Sequence, residues 1–360
     1  MADLMSNKFT SFQALSQKYK NFLVPALKIK VKGQDVISNL NIAIENMSVV
    51  HSLETAGSCN FNIVNAYDIK KRQFDSNIID KFRLGVVIQV ELGYSSALEV
   101  VFKGYISEVN YNFSEVPMLE VTAMDVRKLM MEAMERRKKF YVKTYSAAFS
   151  ELMQDYKKIC THLVIDKTTT QLGTDGISQN ASDFEFIKEE LAPIAGREFF
   201  VVAGKAFFRI PKKLTVPITA LTWGSSLISF NKSSNYLNAE VIVLGFDEDK
   251  QKRFEGTAIA VTKAPQIPVT VKKQPIILPD PDATDQKKAE QRAKSEAEKL
   301  IQQAESANGI CIGLPELVPG RFVRLEKMGN DISKKYYITK VTHRLGTEGF
   351  ETEFETGGWD

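Results

Sequence analysis

Tyr105-Ile106-Ser107-Glu108-Val109-Asn110 and Tyr337-Ile338-Thr339-Lys340-Val341-Thr342 are one phrase written twice in this chain. Both fall inside stretches that read as strands, 99–110 and 336–343. Alternating strands resemble one another by pattern alone, so the flanks decide whether this is a repeat. Each copy follows a strand and a turn containing glycine, Gly93 or Gly329. Each precedes a last strand carrying glutamate, Leu119-Glu120-Val121-Thr122 or Glu351-Thr352-Glu353-Phe354. Internal repeats dictate architecture. This one implies two similar β-domains, one early and one late.

Around the first copy the sequence is β throughout. Leu27-Lys28-Ile29-Lys30-Val31-Lys32-Gly33 alternates apolar and basic residues, and further strands are expected at 39–47, 58–64, 86–92, 99–110 and 118–123. The connections carry turn residues at Lys32-Gly33, Ala56-Gly57 and Gly93-Tyr94-Ser95-Ser96. With one short helix at 77–81, this spacing predicts an antiparallel barrel or sandwich. Ahead of it, Phe9, Phe12, Leu15, Tyr19 and Phe22 form an aromatic stripe at helical spacing. That stripe suits a helix packed on its own domain or an arm docking on a neighbour. Asp3, Lys8, Lys18 and Lys20 interrupt this segment, which lacks the continuous apolar core of a secretory signal.

The middle is mixed. Val126, Leu129, Met130, Ala133 and Met134 predict a helix over 126–143, with Arg127, Lys128, Arg136, Arg137, Lys138 and Lys139 opposite. Such a basic face suits phosphate or an acidic partner; its ordinary reading is a solvated helix end favoured by the helix dipole. A smaller unit follows, with a helix at 147–160 and a strand at 162–166. Ser182-Asp183-Phe184-Glu185 has the capping-box spacing and opens a helix ending at Gly196. An aromatic hairpin at 198–202 and 205–210 completes it. Strands resume near Leu227, at 236–246 and at 256–261. Pro265, Pro268, Pro275, Pro279 and Pro281 then predict an extended connector. A helix is expected over 284–307, with Glu290 and Lys294 paired at four-residue spacing. Its narrow face of Ala289, Ala293, Leu300, Ile301 and Ala304 suits close packing on a sheet. Strands return at 321–327, 336–343 and 350–356.

Composition narrows the function. The 360 residues carry 47 Lys+Arg against 44 Asp+Glu, a net +3, where dedicated nucleic-acid binders are usually strongly basic. No apolar run reaches the roughly 18–20 residues that span a bilayer. Cys59, Cys160 and Cys311 are odd in number and far apart, which fits a reducing cytoplasm. Gly204-Lys205-Ala206 lacks the remaining residues of a phosphate loop. Gly93-Tyr94-Ser95-Ser96-Ala97 imitates a nucleophile elbow but lies between two strands. His51, His162 and His343 have no metal-binding spacing and are expected to be structural. Asp247-Glu248-Asp249 breaks the calcium-loop pattern at Gln251. No catalytic, cofactor-binding or metal-binding residue is assigned, and the expected protein is not an enzyme.

The order of segments resembles the phage late-control protein D family, the hub proteins of contractile tails, and is similar to the hub part of type VI secretion spike proteins. The carrying segments are Val101-Phe102-Lys103-Gly104-Tyr105-Ile106-Ser107-Glu108-Val109 with Met124-Asp125, Ser182-Asp183-Phe184-Glu185-Phe186-Ile187 through Ala195-Gly196, and Gly313-Leu314-Pro315-Glu316-Leu317-Val318-Pro319-Gly320. Tyr337-Ile338-Thr339-Lys340-Val341-Thr342-His343 and Glu353-Phe354 complete it, so the likeness covers nearly everything from residue 25. It implies a mainly β fold with α+β parts: an arm at 1–24, a first tube-like antiparallel β-barrel domain at 25–143, and a small α+β domain at 144–212. A second tube-like barrel at 213–360 is split by the linker 264–283 and the helix 284–307. It implies a homotrimer adapting the sixfold tail tube to a threefold spike. The partners would be the tube protein or its initiator, a spike protein and other baseplate proteins, with no membrane span and no specific nucleic-acid binding. Made in the bacterial cytoplasm, it would join a phage tail or phage-tail-like particle. The other reading weighed is a tail-associated cell-wall hydrolase with β accessory domains, which requires an acidic cleft.

Overall fold

The computed structural model describes residue 4 and residues 6–133, 138–169, 176–247, 251–262, 272–280, 283 and 285–359. Met134, Arg136 and Arg137 of the basic run, Glu248 and Asp249, and Pro265, Pro268, Pro281 and Thr284 lie outside the described residues.

The early half contains β1 (Pro25–Val31), β2 (Ile44–Ser52), β3 (Ser58–Ile63), β4 (Val87–Tyr94), β5 (Ala97–Asn112) and β6 (Met118–Met124). The alternation that marks β1 works as expected, because Ile29 and Val31 are buried while Lys28 is exposed. The strand expected from residue 39 starts later. Asp35 accepts the Ile37 N–H and caps a short helix, Val36–Leu40, which ends at Asn41 in a left-handed conformation with φ 49°. Residues 12–18 form α1 (Phe12–Lys18), with Leu15 buried. The arm lies on its own chain: Tyr19 and Phe22 pack against Tyr94, and the Tyr19 hydroxyl donates to Glu316 Oε1 at 2.7 Å.

The helix expected over 126–143 is short. α2 (Val126–Glu132) stops at Ala133, which has ψ 123°, and Lys138–Phe140 is extended and pairs with Ile177–Gln179. Next come α3 (Tyr145–Leu152), β7 (His162–Ile165), β8 (Glu198–Val202) and β9 (Lys205–Arg209). The three strands form a small sheet, with β7 parallel and β8 antiparallel to β9. Phe149, Phe186, Phe199 and Phe208 lie in the core of this unit. The capping box forms as the spacing predicts, with Ser182 and Glu185 satisfying each other's backbone N–H.

The late half contains β10 (Ala220–Thr222), β11 (Leu227–Ser234), β12 (Asn238–Asp247), β13 (Lys252–Val261), β14 (Gln274–Pro279), α4 (Gln286–Ala304), β15 (Glu305–Ile312), β16 (Phe322–Glu326), β17 (Lys335–Gly346) and β18 (Gly349–Trp359). Part of the expected proline connector is a strand. β14 pairs in parallel with β12 at the edge of a separate three-stranded sheet, where a proline deprives no neighbour of a donor. The alanine face of α4 (Ala289, Ala293, Ala297) is buried with Val241, Val243 and Ala260 of that sheet. Close packing there is possible because Gly256 carries no Cβ, and Gly245 likewise lets Ala283, just ahead of the helix, approach the sheet.

The repeat is a repeat of topology. The early half is ordered β4-β5-β6-β3-β2, and the late half β16-β17-β18-β15-β11. Matched by sequence rank the two orders are the same, and every neighbouring pair within them is antiparallel. The match extends to single bonds. Ile106 N–H donates to Val86 and its carbonyl accepts from Gly85; Ile338 N–H donates to Arg321 and its carbonyl accepts from Gly320. Gly85 and Gly320 both have positive φ, 79° and 82°.

Mainly β is what the structure shows, but the ladders of one chain close no barrel among the described residues. Beyond Tyr337, β17 leaves β16 and pairs with β2, from Lys340↔Ser52 to Leu345↔Met47. The two halves therefore share one open antiparallel path that ends at β11 on one side. A strand edge used to join the neighbouring half cannot also close its own.

Candidate assembly surface

Gly204-Lys205-Ala206 and Gly93–Ala97 lie at hairpin turns. Ala203 and Gly204, at φ 49° and 75°, form the tight turn between β8 and β9. Gly93-Tyr94-Ser95-Ser96 is the β4–β5 hairpin, and Tyr94 is buried with its hydroxyl donating to the Gly313 carbonyl at 3.0 Å. The three cysteines are free and buried, and burial pushes the Cys160 thiol up to about 12. Among the described residues no group of three or more His, Cys, Asp or Glu is arranged to hold a metal ion. No helix of the structure is long and apolar enough to cross a membrane.

One face of the join between the halves is buried. Met47, Val49, His51, Val341 and His343 are all buried along the β2–β17 ladder. His51 Nε2–H donates to the Val101 carbonyl at 2.6 Å, and His343 Nδ1 lies 2.9 Å from the Thr352 hydroxyl. Burial holds His51 down to about 4; burial and the neighbouring His51 hold His343 down to about 3. Each ring is packed in the join and uses one nitrogen for a hydrogen bond there.

Arg127 corrects the expectation of a solvated basic face. It is fully buried. Asp125, the N-cap of α2, accepts the Arg127 N–H at 2.8 Å and its Nη2 at 2.8 Å, and also the Gly57 N–H at 2.7 Å. Arg127 Nη1 donates to the carbonyl of Ser52, the last residue of β2, at 2.7 Å. The guanidinium is thus a brace beneath the join. No charge or hydropathy pattern marks it, but the capping aspartate two positions earlier is a signal that could have found it.

A cleft lies between α4, the small sheet and the late half, lined by Glu54, Lys188, Glu189, Glu198, Glu353 and Glu355. A wall hydrolase would need a carboxylate pair free for acid and base work. Here Glu54 pairs with Lys188 at 2.9 Å, Glu189 with Arg292 at 2.6 Å, Glu353 with Arg344 at 2.5 Å and Glu355 with Lys340 at 2.7 Å. Burial raises the Glu198 carboxyl, while Arg209 Nε at 2.9 Å and the Tyr337 hydroxyl at 2.8 Å pull it back. Glu54 thus ties the small unit to the early half, Glu189 ties it to α4, and Glu198 ties it to the late half through Tyr337. The Glu353 and Glu355 pairs cross the β17–β18 ladder itself, and Glu298 also lines the cleft.

Two open edges lie at equivalent places of the repeated strand order. The β4 ladder leaves β5 at Tyr105, so 107–112 have β6 on one side only. β11 ends the sheet path, with β15 on one side. Both are flanked by exposed aromatics: Tyr111 at 48%, Phe113 at 67% and Tyr236 at 52%. The sequence alone assigns no interface residues, because which edge stays unpaired depends on non-local pairing.

Comparison with known proteins agrees with this fold. No curated protein matches in sequence. A tail protein from Neisseria meningitidis MC58 superposes with a TM-score of 0.69 at 13% identity, covering 93% of this chain and 97% of that one. The 43 kDa tail protein of prophage MuSo2 from Shewanella oneidensis gives 0.66 at 13%, covering 92% and 97%. An Escherichia coli component of the type VI secretion system, described as structurally similar to bacteriophage tail proteins, gives 0.56 at 12%, covering 92% and 77%. These likenesses show a phage-tail-protein fold. The matching family model is not the late-control one that the segment order resembles. It is the one described as the Alg8 N-terminal domain, it spans residues 22–347, and the chain belongs to that family.

Proposed function

We propose that this chain is a structural hub in the baseplate of a phage tail or related injection particle, of the late-control protein D kind. In this reading it is a homotrimer that matches a sixfold tail tube, or the tube's initiator, to a threefold spike, with other baseplate proteins around it. The two halves of each chain act as two tube-like domains, and three chains present six. The observation that carries this reading is the repeated five-strand order joined head to tail through β17 and β2. A head-to-tail contact between like units either closes into a ring or runs on as a filament, according to the rotation per contact. The work done is shape and edge matching, without bond chemistry. The test is the mass of the assembled species in solution together with electron-microscope images of it. Three copies with threefold symmetry and six similar lobes around a channel are expected. A monomer both alone and with its spike protein overturns the proposal.

A further inference from the structure

We infer that the ring is closed by a specific intermolecular ladder: the free edge of β5, at 108–112, pairs antiparallel with the free edge of β11 and Asn235 in a second copy of this chain. The inference rests on the trimeric reading above and adds the joint that this reading leaves unassigned.

The template lies inside the chain. β5 corresponds to β17, since Ile106 and Ile338 make matching bonds, and Glu108↔Thr122 matches Lys340↔Glu355 across the next strand. β2 corresponds to β11 through their inner partners: Ser48↔Asn60 and Val49↔Cys59 match Asn231↔Asn308 and Lys232↔Ala307. The pairs Asn60↔Thr122 and Asn308↔Glu355 anchor both sets to the same rung. Within one chain the late β17 meets the early β2. The equivalent contact, an early β5 meeting a late β11, is absent among the described residues, and both of its edges are open. One chain thus makes one of the two junctions that its repeat encodes.

Carrying the register across gives the ladder residue by residue. Lys340↔Ser52 becomes Glu108↔Asn235, Thr342↔Val50 becomes Asn110↔Ser233, and Arg344↔Ser48 becomes Asn112↔Asn231. His343↔Val49 becomes Tyr111↔Lys232, which brings an ammonium to an aromatic ring. Leu345↔Met47 becomes Phe113 beside Phe230. The β5 end is stiffened for this by an aromatic knot, with Phe74 5.0 Å from Tyr111 and 5.4 Å from Phe113 between ring centroids. Unpaired strand edges are templates for another chain, and main-chain bonds along such an edge supply affinity while side chains set register.

The test is disulfide trapping on the full chain. Asn110 and Ser233 are exposed, and the three native cysteines are buried. Asn110→Cys with Ser233→Cys places thiols on opposing residues. Oxidation is expected to convert most of the protein to a covalent trimer on a non-reducing gel. Asn112→Cys with Asn231→Cys is expected to do the same. Asn110→Cys with Ser234→Cys is offset by one residue, which turns one thiol to the other face, and is expected to link at least tenfold less. A native-mass trimer whose in-register pairs link no better than the offset pair overturns the ladder and leaves the hub reading standing. A protein that stays monomeric and unlinked, alone and with its spike, overturns both.

Discussion

The Ser107 hydroxyl donates to the Thr122 carbonyl at 3.2 Å, and the Thr339 hydroxyl donates to the Glu355 carbonyl at 3.2 Å. Thr122 and Glu355 are the residues facing Glu108 and Lys340, one step beyond the register shift in each β-ladder. Each repeat therefore carries a bulge at the third residue of its Tyr-Ile-Ser/Thr phrase, pinned by the same hydroxyl bond. An extra residue in one strand disrupts the ladder locally and bends the strand. Here the bend comes where each long strand leaves its first partner. Ser107→Ala and Thr339→Val are each expected to cost about 1 kcal/mol, the net worth of one hydrogen bond. Their sites share no partner, so the double variant should lose the sum within about 0.5 kcal/mol. Urea midpoints check this, and a neutral Ser107→Ala beside a costly Thr339→Val would show that the hydroxyls do different work.

The join should weaken in mild acid. His51 and His343 are held neutral at about 4 and about 3, below the ordinary 6.5 of an unfolded histidine. A folded state that resists protonation is destabilised as protons become available to the unfolded chain. The histidine contribution is complete above pH 6.5 and is lost as pH falls through the window toward 4 and 3. Each histidine contributes a slope of up to about 1.4 kcal/mol per pH unit there. Thermal midpoints at pH 7, 6 and 5 should fall for the natural chain and fall less for His51→Gln/His343→Gln. Equal slopes for both proteins would refute the assignment.

Removing the brace beneath the join should be costly. Arg127→Met leaves Asp125 buried without its cation, and breaking a buried pair from one side typically costs about 3–5 kcal/mol. Arg127→Lys should recover little, since one ammonium cannot span Asp125 and the Ser52 carbonyl as a planar fork does. Asp125→Asn added to Arg127→Met should restore part of the loss, because it removes the unpaired buried charge. The recovery stays partial, since Gly57 N–H and the backbone N–H of residue 127 bond to different carboxylate oxygens and an amide has only one oxygen to accept either. Chemical denaturation of the three variants checks the order.

What could be read ahead of the structure follows from which interactions are local. The phrase shared by Tyr105–Asn110 and Tyr337–Thr342 is a local feature with matching flanks, so both strands and their equivalence show in the sequence. Their bulges do not, because a bulge is defined against a partner strand. The crossing of β17 to β2 pairs residues near 342 with residues near 50, and no local pattern encodes that choice. The helix expected to residue 307 ends at Ala304 because Glu305-Ser306-Ala307-Asn308 becomes strand without a glycine or proline to announce it. Gln274–Pro279 was hidden by its prolines, which an edge strand tolerates. Arg127 looked like one more cation in a basic run, and only the fold over Ser52 buries it.

Gly256 sets how closely α4 approaches its sheet. A Cβ on Gly256 would lie 2.1 Å from the Ala289 carbonyl carbon and oxygen and 2.4 Å from the Glu290 nitrogen. These are backbone atoms of a helix and cannot swing aside as a side-chain tip can. Either β13 or α4 must move, and the alanine face loses its close contact. Overpacking of this kind costs about 1–3 kcal/mol. Gly256→Ala is therefore expected to raise amide exchange across 286–304 while the β2–β17 join stays protected, because the helix sits on a separate sheet with its own apolar cluster. Thr257→Val, exposed on the same strand, should leave exchange unchanged. Unaltered protection of α4 in Gly256→Ala would mean that the helix is held elsewhere along its length.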